Sequence, residues 1–241
     1  MIIQGVTLKG ITVSDSSFNS NGALLYVDAG NTASYPGTGT TWTGLSSNSH
    51  NATLVGSPGF TSAGAASYFT FNGLGSSYAS TTASKFNVTY TGKTVIVSAR
   101  MTAVLAGAFR GLFGTNDGAS SRRNFNTYIY SPSTGVYQIH YSAGGAGGFS
   151  NNLSITTNQW FIISVTHTTS GLVSYYLNGQ PVGTNTGITF TQYTSNAGEY
   201  VALCDNYWYG DIALCAVYGK ALNKDEVLQN YNSIKSRYNL Q

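Results

Sequence analysis

Short segments in which hydrophobic and polar residues alternate follow one another along most of the chain after residue 22. They are rich in β-branched and aromatic residues, a composition that favours strands. The clearest predicted strands are Ala23–Asp28, Tyr68–Phe71, Thr94–Met101, Tyr128–Tyr130, Tyr137–Tyr141, Phe161–Thr166, Val173–Leu177 and Tyr200–Leu203. Turn-forming residues separate these segments, so the pattern predicts an all-β fold.

Two glycine-containing segments predict connections between strands. Asn178-Gly179 fits a two-residue type I′ hairpin turn, in which both central residues need a positive φ. The stretch Gly144–Gly148 is so rich in glycine that we expect a flexible surface loop there, not a strand.

One helical pattern closes the chain, over residues 223–238. Asn223 is a suitable N-cap, and Glu226 stands three residues later, where it can complete a capping box. The apolar stripe that we expect to pack on the strands consists of Val227, Tyr231, Ile234 and Tyr238.

Residues 1–22 differ from the rest and predict an N-terminal arm with one short strand and a polar linker. The arm could pack on its own domain or add to the sheet edge of a neighbouring subunit, and the sequence leaves both open. Residues 23–241 then form one domain, of an ordinary size for a β-sandwich. We expect no secretory signal, because no cationic region precedes a continuous apolar run, and no apolar run is long enough to span a membrane.

Composition adds a description of the surface. Charged residues make up only 8 % of the chain, whereas aromatic residues make up 13 %, which argues for a folded protein with a neutral surface rich in hydroxyls and amides. The net charge is +3, and Arg122-Arg123 is the one adjacent basic pair. Nucleic-acid binding needs a basic stripe that neutralises several phosphates, so we do not expect it.

The two cysteines, Cys204 and Cys215, show no metal-ligand spacing and are expected to be small buried apolar residues. They flank a predicted hairpin. A cross-strand disulfide is therefore conceivable, and the sequence leaves it open because the Cα separation is unknown.

Catalytic patterns are absent from the sequence. Glycoside hydrolysis needs two carboxylates about 5–9 Å apart across the scissile bond. Asp205 and Asp211 could approach each other around a loop, but no motif supports an acid/base pair, and Asp225 and Glu226 are explained by the helix start. There is also no Gly-x-Ser-x-Gly elbow beside the three scattered histidines. We expect a protein that is not an enzyme.

Sugar binding needs aromatic faces together with amides or carboxylates, and two polar segments offer them. The candidate ligand-binding residues are Asp117, Arg122, Asp205, Asn206, Tyr207 and Trp208. For Trp208 a buried framework role is the commoner alternative. A third candidate is an aromatic face built by alternating tyrosines on consecutive strands, which would suit a sugar or a subunit contact equally. These tyrosines are Tyr128, Tyr130, Tyr137 and Tyr141.

Calcium is the one cofactor that the sequence leaves open. Asp117 and Asp205 each stand beside an asparagine in a turn-like segment, and carboxylate and amide oxygens are the ligands of this ion. The alternative, which we favour, is that Asp and Asn are there as turn formers.

Four groups of segments, in this order, resemble the concanavalin A-like lectin/glucanase (laminin-G-like) jelly-roll domains. They are Leu25–Asn31 with Ser34–Gly37 and Thr41-Trp42; Phe69–Gly73; Trp160–His167 with Ser174–Gly179; and Trp208–Tyr218 with Ala221-Leu222 and the closing helix. The resemblance implies a two-sheet antiparallel jelly-roll sandwich with one C-terminal α-helix. The sequence departs from it at Asn72, where Asp is usual, and lacks the Glu-x-Asp-x-x-Glu of the laminarinase-like branch.

Domains of this kind with a closing helix are frequent among bacteriophage virion proteins and bacterial surface proteins, and this resemblance sets the functional expectation. We expect a non-enzymatic virion surface protein, either a capsid decoration or a tail-associated adhesion protein, assembled in the host cytoplasm. Its partners would be other virion subunits and host surface glycans. The alternatives are a free carbohydrate-binding module and, third, a glycoside hydrolase.

Overall fold

A computed structural model describes residues 17–47, 50–74, 76–81, 89–103, 106–116, 126–143, 146–190, 198–201 and 208–241. Sixteen strands in these residues form two antiparallel sheets, and a helix followed by a 3-10 turn lies near the C-terminal end. The expectation of an all-β, two-sheet antiparallel jelly-roll sandwich with one C-terminal helix is confirmed. Within the described residues, no helix is long and apolar enough to cross a membrane.

The first sheet, sheet A, has eight strands in the order β14-β13-β12-β7-β16-β5-β4, with β1 paired to β16 as well. Its strands are β1 (Ala23–Asp28), β4 (Gly59–Thr61), β5 (Tyr68–Asn72), β7 (Gly92–Met101), β12 (Trp160–Thr168), β13 (Val173–Leu177), β14 (Gln180–Asn185) and β16 (Tyr209–Tyr218). The central strands β7, β12 and β16 are buried over almost their whole length because both faces of this sheet are covered.

The second sheet, sheet B, also has eight strands, in the order β11-β10-β9-β8-β15-β6-β3-β2. These are β2 (Thr41–Trp42), β3 (Ala52–Val55), β6 (Tyr78–Thr81), β8 (Ala108–Asn116), β9 (Asn126–Ser133), β10 (Val136–Ala143), β11 (Ala146–Phe149) and β15 (Gly198–Val201). Its strands β3, β6 and β10 alternate between buried and more exposed residues, as expected when one face packs on the core and the other is more open.

Seven of the eight predicted strands are confirmed, five of them with a residue or more added at one or both ends. The eighth, Tyr200–Leu203, overlaps strand β15 at Tyr200 and Val201, and its last two residues lie outside the described residues. The expected loop at Gly144–Gly148 is wrong over its second half, since Ala146–Phe149 is strand β11; Gly144 and Gly145 lie outside the described residues. Pairing with β10 overrides the low strand propensity of glycine. A Cβ at Gly147 would stand 2.8 Å from His140 Nε2 on the neighbouring strand, so this position favours glycine.

The Asn178-Gly179 turn is confirmed. The two φ angles are 49° and 73°, the left-handed region that a type I′ turn needs. Asn178 Oδ1 also accepts a hydrogen bond of 2.9 Å from the Ile162 amide. A Cβ at Gly179 would lie 2.8 Å from the Tyr231 ring, so glycine lets the C-terminal helix pack directly on the hairpin.

The core lies between the sheets, and a second hydrophobic cluster lies on the outer face of sheet A, under the C-terminal helix α1 (Lys224–Ile234). A 3-10 turn over Lys235–Tyr238 continues it. The capping box of Asn223 and Glu226 is present as predicted. All four residues of the predicted stripe are buried: Val227, Tyr231, Ile234 and Tyr238.

The end of the predicted N-terminal arm is tied to helix α1. The Phe18 ring stacks on Tyr26 at 4.5 Å between ring centroids. The Asn19 amide donates to Asn230 Oδ1 at 2.7 Å, and its carbonyl accepts from the Tyr218 hydroxyl at 2.6 Å. Asn230, which is fully buried, also donates to the Tyr218 hydroxyl at 3.1 Å. One side chain therefore joins the arm, the last strand and the helix.

Residues 1–16 lie outside the described residues, so the strand expected in the arm stays a prediction.

A buried histidine lies near one end of the sandwich. His167 Nε2 is 3.1 Å from the Ile188 carbonyl, an acceptor only, so Nε2 carries the proton and Nδ1 accepts from the Tyr141 hydroxyl at 3.0 Å. The imidazole is thus held in its neutral form. Burial, together with the positive charge of Lys93 and despite the bond to Ile188, lowers the pKa of His167 to about 4.

We expect Asn230→Ala to lower the free energy of unfolding by about 1–3 kcal/mol, because it leaves the Asn19 amide without its acceptor in a covered position. Urea denaturation measures this change. Asn232→Ala, exposed on the same helix, is the matched control and should have little effect. Equal stability of the two variants would contradict a stabilising role for the hydrogen bonds of Asn230.

We also expect the free energy of unfolding to decrease as the pH is lowered from about 6.5 to about 4. The unfolded His167 takes up a proton near pH 6.5, whereas the folded side chain resists protonation down to about pH 4, so acid favours unfolding in this window. The loss reaches about 3 kcal/mol, since each pKa unit corresponds to about 1.4 kcal/mol. Denaturation curves at several pH values measure it. In His167→Asn the slope across this window should flatten, and an unchanged slope would assign it to other groups.

Candidate functional site

Five of the six ligand-binding residues proposed from the sequence lie outside the described residues and stay predictions: Asp117, Arg122, Asp205, Asn206 and Tyr207. The sixth, Trp208, is fully buried between the sheets. Its indole N–H donates to the Asp211 carbonyl at 3.3 Å, and its ring lies 6.3 Å from that of Phe161. This is the framework alternative, and a sugar ring has no access to the indole in this position.

Asp211, considered above as a partner for Asp205, belongs to an ion pair. Its carboxylate accepts from Arg100 Nε at 2.7 Å and from the Thr70 hydroxyl at 2.6 Å, and the residue is buried. A carboxylate whose oxygens are both engaged in this way has a structural role in joining β16 to β5 and β7.

The metal and disulfide expectations concern residues that the structure describes only in part. No group of three or more His, Cys, Asp or Glu side chains that could hold a metal ion exists within the described residues. Both calcium candidates, Asp117 and Asp205, lie outside them. Cys215 is a free buried thiol whose pKa is raised by burial, and Cys204 is not among the described residues.

The four alternating tyrosines do not share one face, which corrects the interpretation of them as one surface. On β10, Tyr137 and Tyr141 point into the core. Their neighbours Gln138 and His140 pair with Tyr130 and Tyr128 of β9, and directly opposed residues point to the same side of a sheet. The register between these strands therefore sends one pair of tyrosines inward and the other outward.

The outward pair belongs to a cluster of five rings on the outer face of sheet B, which we call the aromatic platform: Phe109, Tyr128, Tyr130, His140 and Phe149. Phe109 stacks on Tyr130 at 4.3 Å between centroids and lies 5.2 to 6.4 Å from the other three rings. His140 and Phe149 are 4.4 Å apart. The platform crosses four adjacent strands, β8 to β11.

The platform has a buried base and an accessible rim. Tyr128 is only 2 % exposed, whereas Phe149 is 40 % exposed and Phe109, Tyr130 and His140 are half-buried. Burying an aromatic ring in water-free surroundings stabilises a fold, but Phe149 is not buried and gains little in this way. The accessible rings are therefore available to another molecule.

Amide groups lie beside the rings. The Asn126 side-chain amide donates to the Tyr128 hydroxyl at 3.0 Å, and the Gln138 amide donates to the Ser150 carbonyl at 3.3 Å. These bonds orient the amides and the phenol. Gly147, which faces His140, keeps the surface flat, since any Cβ would meet the imidazole. The result is an apolar surface with the part-exposed amide of Gln138 beside it, whereas Asn126 is buried and holds the Tyr128 phenol from below.

Comparison with known proteins places this fold in a family. The model of the family described as concanavalin A-like lectin/glucanases superfamily (Laminin_G_3) matches residues 73–228, more than half of the 241 residues. The chain belongs to this superfamily. No curated protein matches it significantly. The resemblance noted in the sequence is thus confirmed, and the lectin-like jelly roll is the fold that this superfamily shares.

Solved structures agree on the fold. The binding domain of botulinum neurotoxin serotype C1 is 14 % identical with a TM-score of 0.66, covering 89 % of this chain and 52 % of its own. Domain 4 of AbnA, a GH43 extracellular arabinanase from Geobacillus stearothermophilus, is 15 % identical with a TM-score of 0.63, covering 87 % of this chain and 98 % of its own. This superfamily member therefore spans about half the length of the neurotoxin domain and nearly the whole arabinanase domain.

The platform was only partly predictable from the sequence. Tyr128 and Tyr130 were found through their alternation, whereas Phe109, His140 and Phe149 were missed. The available signal was the same alternation on β10, where Gln138 and His140 occupy the outward positions. Phe149 was not predicted, because the glycines that precede it favour a loop and not a strand.

Proposed function

We propose that the chain is a non-enzymatic carbohydrate-binding protein whose aromatic platform stacks on a sugar. The observation that carries this proposal is the exposure of Phe149 within five contacting rings on the outer face of sheet B. The C–H faces of a sugar ring are apolar and pack on aromatic rings, while amides at the edge bond to hydroxyls. The platform supplies the rings, and Gln138 supplies a part-exposed amide beside them.

The proposal of a binding role, without catalysis, rests on three of the eight acidic residues of the chain. Asp28 and Asp211 are buried and paired with Arg237 and Arg100. Glu226 is held by Lys220 and by the Asn223 amide. These three carboxylates are occupied by structural bonds, so none of them is suited to protonate a glycosidic oxygen.

Similar structures support the choice of ligand class. Domain 4 of the arabinanase AbnA is described in complex with arabinotriose, and a botulinum neurotoxin binding domain is described in complex with SialylT. At 14–15 % identity these structures share the fold alone with this chain, so the proposal depends on the platform and the ligand must be found by experiment.

The setting that we propose for this binding protein is the surface of a bacteriophage virion, where it would serve as a capsid decoration or tail-associated adhesion protein. Support comes from the resemblance described above and from the arm, whose last residues are anchored on helix α1. Residues 1–16 would then leave the domain from a defined point and contact other virion subunits, while the platform meets host glycans. A free carbohydrate-binding module is the alternative setting.

We expect Phe149→Ala to weaken binding of a neutral oligosaccharide about tenfold, because the loss of one aromatic contact costs about 1 kcal/mol or more. The melting temperature should change little, since the ring is 40 % exposed. Calorimetric titration measures the affinity, and a parallel titration in EDTA tests whether calcium takes part.

The matched control is Leu172→Ala, which removes another exposed apolar side chain outside the platform and should leave the affinity unchanged. If Phe149→Ala binds sugar like the wild type and instead changes the oligomeric state in sedimentation, the platform is a subunit contact.

Deletion of residues 1–16 tests the virion setting. This deletion spares Phe18 and Asn19, which bond to the domain, so folding and sugar binding should be retained. Assembly into oligomers or particles should be lost, as measured by sedimentation and electron microscopy. Unchanged assembly would contradict the anchoring role of the arm and favour the free binding module.

A further inference from the structure

A polar cleft lies on the other side of the sandwich, where β12 begins beside the end of the chain. It has a volume of about 320 Å³ and is lined by Asn158, Gln159, Trp160, Tyr238, Asn239 and Leu240. This volume is at the lower end of the range for small-molecule sites, about 300–1,000 Å³. A ligand of one or two sugar rings suits such a cleft.

The aromatic wall of the cleft is rigid. The Trp160 and Tyr238 rings lie 4.8 Å apart at an interplanar angle of 31°. Tyr68 meets the Trp160 ring edge-on at 5.5 Å, and the Arg100 guanidinium lies 5.2 Å from its centroid. Arg100 is itself held by the buried Asp211. An indole fixed on several sides loses little freedom when a ligand binds.

The amide wall is built from two exposed turns. Asn158 and Asn239 have φ angles of 63° and 55°, and their backbone amides donate to Met101 and Ser236 carbonyls at 2.8 and 3.4 Å. The Gln159 backbone amide donates to the Thr156 carbonyl. The backbone bonds hold these turns, and in the described part of the chain no hydrogen bond occupies the side-chain amides of Asn158, Gln159 and Asn239. Three donor–acceptor groups are therefore available beside one aromatic wall.

We propose that this cleft is a second carbohydrate site, for one or two neutral sugar rings. The amides would bond to sugar hydroxyls, and the accessible part of Trp160, backed by the buried Tyr238, would contact the apolar side of the ring. None of the described residues that line the cleft is charged, which favours a neutral sugar over one with a carboxylate or phosphate. The platform is on sheet B and the cleft is on sheet A, so the two sites would bind separate sugars or two chains of a glycan surface.

Tryptophan fluorescence separates the cleft from the platform. Of the three tryptophans, Trp42 and Trp208 are fully buried and Trp160 is half-buried at the cleft, whereas the platform contains none. A sugar in the cleft should therefore shift the emission of Trp160 and protect it from acrylamide quenching. A sugar on the platform should leave this signal unchanged and appear only in calorimetry.

The test is a fluorescence and calorimetric titration of the full chain with maltotriose, cellotriose and arabinotriose. The triple variant Asn158→Gly, Gln159→Ala and Asn239→Gly removes the three amides without straining the backbone, because glycine adopts a positive φ freely. We expect the affinity obtained from the emission shift to fall at least tenfold in this variant, while the melting temperature stays unchanged. Asn232→Ala removes an exposed amide outside the cleft and serves as the control.

The outcomes for the two sites are distinguishable. An emission shift that survives in Phe149→Ala and is lost in the triple variant supports the cleft, whatever becomes of the platform. No shift with any of the three sugars, or a shift that the triple variant retains, overturns the second site. If calorimetry then still detects binding that Phe149→Ala weakens, the platform stands alone.

Discussion

The pairing of strand β16 with three other strands is the constraint on which the rest of the structure depends. Strand β16 pairs with β7 along one edge, and with β5 and then β1 along the other. Its inward residues, such as Ile212 and Cys215, enter the core between the sheets, and its outward residues, such as Leu214 and Tyr218, enter the cluster under helix α1. A strand buried on both faces must be apolar over most of its length, with its one carboxylate, Asp211, paired to Arg100, and its neighbours and the helix must fit around it.

The coverage of sheet A by the helix has a direct consequence for function. Because α1 and the arm residues occupy much of its outer face, aromatic residues there are used in packing, as Tyr26 and Tyr218 are. The outer face of sheet B carries a cluster of accessible aromatic rings, in which Phe149 is the most exposed, whereas the exposed Tyr209 of sheet A stands at the start of β16. The cleft lies at the margin of sheet A, between the start of β12 and residues 238–240.

Buried ion pairs hold the parts that carry these sites. Asp28 at the end of β1 pairs with Arg237 at 2.5 Å and joins the last turn of the chain to sheet A. Asp211 pairs with Arg100, whose guanidinium also lies over Tyr68 and Trp160. Such pairs contribute little net stability after desolvation, but breaking one leaves an uncompensated buried charge. They restrict where the end of the chain and the wall of the cleft can lie.

The sequence by itself determined what local chemistry decides: the strand alternation, the positive-φ turn at Asn178-Gly179, the capping box of Asn223 and the order of motifs typical of the superfamily. It did not decide the register between β9 and β10, which turns Tyr128 outward and Tyr141 inward, because a shift of one residue exchanges the two faces. Nor could it bring Trp160 and Tyr238 together across 78 residues. Both sites depend on contacts between distant segments, which only tertiary packing selects.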